Sequence, residues 1–75
     1  MRLKILKYIY QYYINQNNTL CYLPFNQIDT NIFEIKNTLK NLETDGYIEI
    51  IFSAIGATYI KLTSSGFDFC EDYKL

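Results

Sequence analysis

The sequence predicts an α+β domain in which helices come first, a β-hairpin follows and a helix closes the chain. Three stretches carry that reading. NIFEIKNTLKNLETDGYI, residues 31–48, has the grammar of a capped helix that stops at a glycine and hands over to a strand. Residues 47–52 and 58–62 are rich in β-branched and aromatic side chains and flank a turn of small residues. Residues 3–15 form an aromatic-rich helical run that opens the chain.

The opening helix has an unusual cross-section. Lys4, Lys7, Gln11 and Asn15 share one narrow polar stripe, and Leu3, Ile5, Leu6, Tyr8, Ile9, Tyr10, Tyr12, Tyr13 and Ile14 take the rest. A helix that packs on one core needs a narrower apolar face. This predicts cover on two sides, by its own domain and by a second copy of the chain through Ile5, Tyr8, Ile9, Tyr12 and Tyr13. The alternative is that the tyrosines lie flat at the domain edge with their hydroxyls in water.

Polar residues 15–19 follow as a loop, and LCYL (20–23) reads as a short strand. Pro24 then opens a brief second helix to Ile28, proline being tolerated in a first turn. Asp29, Thr30 and Asn31 turn the chain into the third helix. Asn31 with Glu34 three residues later makes a capping-box-like start. Ile32, Ile35, Leu39 and Leu42 form its inner stripe, and Gly46 ends it in the left-handed conformation. In the hairpin, Ile48, Ile50 and Phe52 share one face with Ile60 and Leu62. Residues 63–66 start the last helix, where Phe69 and Tyr73 make an i,i+4 contact. The order is helix, short strand, helix, helix, hairpin, helix, and residues 1–75 form one domain.

Composition sets limits. The chain has 75 residues, 49% hydrophobic and 17% aromatic, enough for a core without staples. A chain this short buries roughly 60% of its unfolded surface. Cys21 and Cys70 are the only cysteines and histidine is absent, so a closed four-ligand zinc site is excluded and no metal or cofactor is expected. No apolar run has transmembrane length and no signal peptide is present, which predicts a cytoplasmic protein with two semi-buried thiols and no membrane partner.

Up to Ile28 there are three cations and no acid; from Asp29 onward there are eight acids against four lysines. Positive charge is thin for a nucleic-acid binder.

The segments LKNLETDGYI (39–48) and LTSSGFDF (62–69) resemble the winged-helix superfamily in the style of small bacterial and phage regulators. There the recognition helix ends in a leucine-leucine-glutamate-glycine pattern, a two-stranded wing follows, and a threonine-to-glycine step opens the closing helix. The resemblance covers most of residues 20–73. It implies a winged helix-turn-helix with three N-terminal helices, a β-hairpin wing and a C-terminal helix. It further implies that the 31–45 helix enters the major groove of double-stranded DNA, as in a homodimeric transcriptional regulator. The outward side of that helix carries Phe33, Glu34, Asn37, Lys40 and Asn41, flanked by Lys36. Asparagine pairs with adenine, lysine with guanine or phosphate, and an apolar ring meets a thymine methyl. Thr30 and Asn31 offer a hydroxyl, an amide and helix-end N–H groups to phosphate. Lys61, on the returning strand, is the one cation the hairpin adds. Each of these residues also fits an ordinary solvated surface.

The wing departs from the pattern. Its tip, residues 53–57, has nothing that neutralises a phosphate, and an exposed Ile55 suits a protein contact. The acidic balance, this tip and the apolar first helix support the alternative of a protein–protein interaction module. Catalysis is not expected: histidine, the usual general base, is absent, and no serine or cysteine has a recognisable partner.

Overall fold

A computed structural model describes all of residues 1–75. The order is α1 (Arg2–Gln16), β1 (Leu20–Pro24), a 3₁₀ turn (Phe25–Gln27), α2 (Ile32–Thr44), β2 (Ile48–Ala54), β3 (Ala57–Leu62) and α3 (Ser64–Asp72). The three strands form one antiparallel sheet in the order β1-β3-β2.

This corrects the expected three N-terminal helices. Between α1 and α2 the chain makes a strand and a single 3₁₀ turn, so the helix-turn-helix lacks its first helix. The physical reason lies in residues 24–28. Pro24 ends β1 opposite Ala57, and the Phe25 N–H is already donated to the Gly56 carbonyl of the hairpin turn at 3.0 Å. What remains is too short to nucleate an α-helix. The turn closes through Ile28 and Asp29 N–H groups on the Phe25 carbonyl, and it buries Phe25 and Ile28.

α2 ends in a Schellman motif: Tyr47 N–H donates to Leu42 O and Gly46 N–H to Glu43 O, with Gly46 at φ 84°. Its buried stripe is Ile35, Thr38, Leu39 and Leu42. Ile32, expected in that stripe, is 47% exposed at the first turn, where the helix has not yet reached the core. Thr38 takes its place, and its hydroxyl donates to the Glu34 carbonyl at 2.8 Å.

Thr63 joins the second half of the chain. Its hydroxyl donates to Gly46 O at 2.6 Å and accepts from Gly66 N–H at 3.0 Å, and its N–H donates to Tyr47 O. One residue thus caps α3 and ties it to the α2–β2 junction. Gly66 sits against the same junction, with room for no side chain: a Cβ there would lie 2.0 Å from the Tyr47 carbonyl oxygen.

The helices cover one face of the sheet. That face supplies Cys21, Leu23, Ile48, Ile60 and Leu62 to a core completed by Ile5, Leu6, Ile9, Phe25, Ile28, Ile35, Leu39, Leu42 and Cys70. Phe52 is not in it. Pairing runs Ile48↔Leu62, Glu49↔Lys61, Ile50↔Ile60 and then slips, so that Phe52 faces Tyr59. The bulge at Ile51 reverses the alternation and turns Phe52 to the outer face, where it is 60% exposed.

Candidate nucleic-acid interface

The exposed side of α2 is set by its stripe. With Ile35, Thr38, Leu39 and Leu42 inward, helical spacing turns Phe33, Lys36, Asn37, Lys40 and Asn41 to solvent, and all five are exposed. Phe33 is 78% exposed.

Beside this face runs a groove of about 290 Å³ between α2 and the hairpin, lined by Lys36, Leu39, Lys40, Glu43, Ile50, Ser53 and Thr58. Lys36 and Lys40 lie one helical turn apart on its α2 wall. Ser53 and Thr58, paired across the ladder, line the opposite wall; Ser53 is exposed and Thr58 is buried. Glu43 is committed elsewhere: its carboxylate accepts the Ile50 N–H at 2.8 Å, which blunts the open edge of β2. The place of Ser53 could not be read from the sequence, because it depends on the Ile51 bulge, whereas Thr58 shares the inner face of β3 with Ile60 and Leu62 by simple alternation. A β-branched run with one residue more than its partner strand was the only available signal.

The start of α2 is already occupied by its own side-chain acceptors. Asn31 Oδ1 accepts the Glu34 N–H at 3.1 Å, and Asp29 Oδ1 accepts the Asn31 N–H at 3.0 Å. The Thr30 hydroxyl donates to the same Asp29 oxygen. The Asn31 N–H, chiefly, holds the Asp29 carboxyl below the usual carboxylate range; slight desolvation opposes this, and Thr30 and the Lys4 charge add to it. A carboxylate therefore stands where Thr30 and Asn31 were expected to receive a phosphate. Both residues are exposed, but their polar groups serve the cap.

Lys61 lies apart from the α2 set. It alternates with the buried Ile60 and Leu62 on β3 and stands across from Glu49 on the outer face, away from Thr58 and the groove. The apolar tip of the hairpin is as expected: Ile55 and Gly56 make the tight turn, Gly56 has φ 76°, and Ile55 is fully exposed.

The residues expected to build a dimer through α1 are largely consumed by the chain's own fold. Ile5 and Ile9 have no exposed surface at all. Tyr8 and Tyr12 are half-buried against the core; Tyr8 lies by Cys21 and Tyr22, and burial, with the repulsion an anion there would meet, pushes its pKa up. Tyr13 meets Phe67 of α3 edge-on at 5.4 Å. Tyr10, against the same ring, donates its hydroxyl to Glu71, and that bond is the main cause raising its pKa. The second cover predicted for this helix is thus β1 on one side and α3 on the other. Its exposed apolar residues, Leu3 and Ile14, stand near opposite ends.

Both thiols are buried and unpaired, and burial pushes Cys21 up to about 12 and Cys70 to about 11. No cluster of three or more His, Cys, Asp or Glu side chains is placed to hold a metal ion, and no helix is long and apolar enough to cross a membrane. No protein-family model matches the chain, no curated protein is similar to it in sequence, and no solved structure matches it.

Proposed function

We propose that this chain binds double-stranded DNA, with α2 as the reading element, and acts as a small cytoplasmic transcriptional regulator. The observation that supports this best is the α2–hairpin groove, which Lys36 and Lys40 line from α2 and the exposed Ser53 from the hairpin, while the Glu43 carboxylate in the same groove is held by the Ile50 N–H. Two cations one helical turn apart and a hydroxyl donor suit a phosphodiester strand. The exposed Asn37 and Asn41 suit adenine edges, and Phe33 suits a thymine methyl. The resemblance of residues 39–48 and 62–69 to winged-helix regulators motivates the same reading, without the three-helix N-terminal half. No step of this function is catalytic and none needs a cofactor.

The test is fluorescence anisotropy with labelled duplexes of varied sequence across a salt series. With two lysines on phosphates, the slope of log K against log[salt] is shallow, about −2. Lys36→Ala together with Lys40→Ala removes most of that slope. Absence of binding at low salt to every duplex overturns the reading.

A protein-interaction module is the second reading. The carboxylates of Asp29 and Glu34 at the start of α2 and the apolar Ile55 tip favour it.

A further inference from the structure

The outer face of the sheet has the wrong chemistry for a surface in water. An antiparallel sheet with one face on the core is ordinarily polar on the other. Here the solvent side carries Leu20 and Tyr22 from β1, Tyr59 from β3, and Ile51 and Phe52 from β2, all of them exposed. Tyr22, Tyr59 and Phe52 form one row across the three strands, with Tyr22 edge-on to Tyr59 at 5.2 Å and Phe52 edge-on to Tyr59 at 6.3 Å. Leu20, Ile51, Phe52 and Tyr59 line a shallow concavity. The bulge is what makes the patch: it adds Ile51 to the outward set and turns Phe52 away from the core.

We propose that this face is the interface of a homodimer, the sheet of one copy packing on the sheet of another. Two arguments select a second copy. The first is area: taking about 150–250 Å² for each aromatic side chain, the five exposed residues leave on the order of 450 Å² of largely apolar surface. The chain's whole accessible surface is 4836 Å². A standard interface takes about 800 Å² from each partner, so this patch supplies a little over half of one side and the residues around it supply the rest. The second is charge. The next row of the same face pairs Lys61 with Glu49. A two-fold axis that sets Lys61 over Glu49 of the partner subunit makes the reciprocal contact at the same time. A single-stranded nucleic acid would also stack on such rings, but that mode needs a cationic track. This face holds one lysine with a glutamate directly across from it. The interface does not depend on the DNA reading, because the groove beside α2 lies on the helix side of the sheet and stays open in both copies.

Sedimentation equilibrium over a wide concentration series tests the proposal. The expected result is a species of twice the 8.9 kDa chain mass at high concentration. The double variant Phe52→Thr and Tyr22→Thr keeps strand-forming residues at exposed positions. It is expected to stay folded by circular dichroism and sediment as a monomer throughout. Phe33→Ser, on the exposed side of α2, is expected to dimerise as the parent does. A parent chain that is monomeric at every concentration overturns the proposal, and quenching of its tyrosine fluorescence by an oligothymidylate would then give the face to nucleic acid. A dimer that survives the double sheet variant, or is lost in Phe33→Ser, overturns it equally.

Discussion

α1 and α2 are the two long helices, and they spend their apolar residues in opposite ways. α1 is apolar around most of its circumference yet leaves only Leu3 and Ile14 freely exposed among its large aliphatic residues. α2 has a narrow stripe and leaves a broad polar side, with Phe33 standing out of it. The difference is the number of neighbours. α1 packs against β1, α2, β3 and α3, whereas α2 rests on the core and on the hairpin beside it and has nothing across its outer side. The helix that looks most in need of a partner has found its partners within the chain. The available surface belongs to the more ordinary helix.

The largest expected effect strips α1 of one of its covers. α3 reaches α1 because Gly66 lets its first turn close on the Tyr47 carbonyl, which brings Phe67 to Tyr10 and Tyr13. Gly66→Ala places a methyl group within 3 Å of the Tyr47 carbonyl and of a Leu62 methyl carbon, so α3 must lift. A loss of about 3 kcal/mol or more in urea unfolding is expected, with enhanced proteolysis after residue 62. A stability within about 0.5 kcal/mol of the parent would show that the α3 contact contributes little to covering α1.

A matched pair of truncations sharpens the comparison next. Ile9 has no exposed surface, so Ile9→Ala is expected to cost about 2–5 kcal/mol. Phe33→Ala removes a larger side chain from the exposed side of α2 and is expected to change stability by less than about 0.5 kcal/mol. Denaturant midpoints for the two read the contrast directly. Equal losses would mean that Phe33 packs against something in solution, and the second copy would become the first place to look.

The long-range elements of the fold were legible where local chemistry decides them. The Asn31 cap, the Gly46 stop, the β1 strand, the two hairpin strands and the Phe69–Tyr73 contact follow from residue types at fixed offsets, and the rings of that last pair stack at 4.3 Å. The second helix was not legible, because pairing with β3 holds the chain extended as far as Pro24, opposite Ala57, and leaves room for only one turn before Asp29. The bulge at Ile51 was equally hidden: strict alternation put Phe52 in the core, and one unpaired residue moved it to the opposite face. That slip also shaped the site, since it brings Ser53 into the groove with Lys36 and Lys40. Exposure of Lys36, Asn37, Lys40 and Asn41 was readable from the stripe alone. Burial of Ile5 and Ile9 in the chain's own core required knowing what packs on α1.

The smallest expected effect concerns the end of α2 that its own carboxylate guards. Asp29 accepts the Asn31 N–H, and its pKa lies below the ordinary value of about 3.9. Its folded pKa is lower than its unfolded one, so the unfolded chain takes up the proton first. The stabilisation is present above the unfolded pKa and is lost as pH falls through the folded one. Urea midpoints measured from acid to neutral pH should therefore fall less steeply below about pH 4 in Asp29→Asn than in the parent. The substitution also removes a negative charge from the helix end nearest a docked duplex. On the DNA reading, affinity at low salt rises by roughly two- to fivefold, because a like charge no longer stands at the helix terminus. Parallel acid limbs would show that Asp29 makes the same contact in the unfolded chain. An unchanged affinity would place any bound phosphate away from this end and along the Lys36–Lys40 groove.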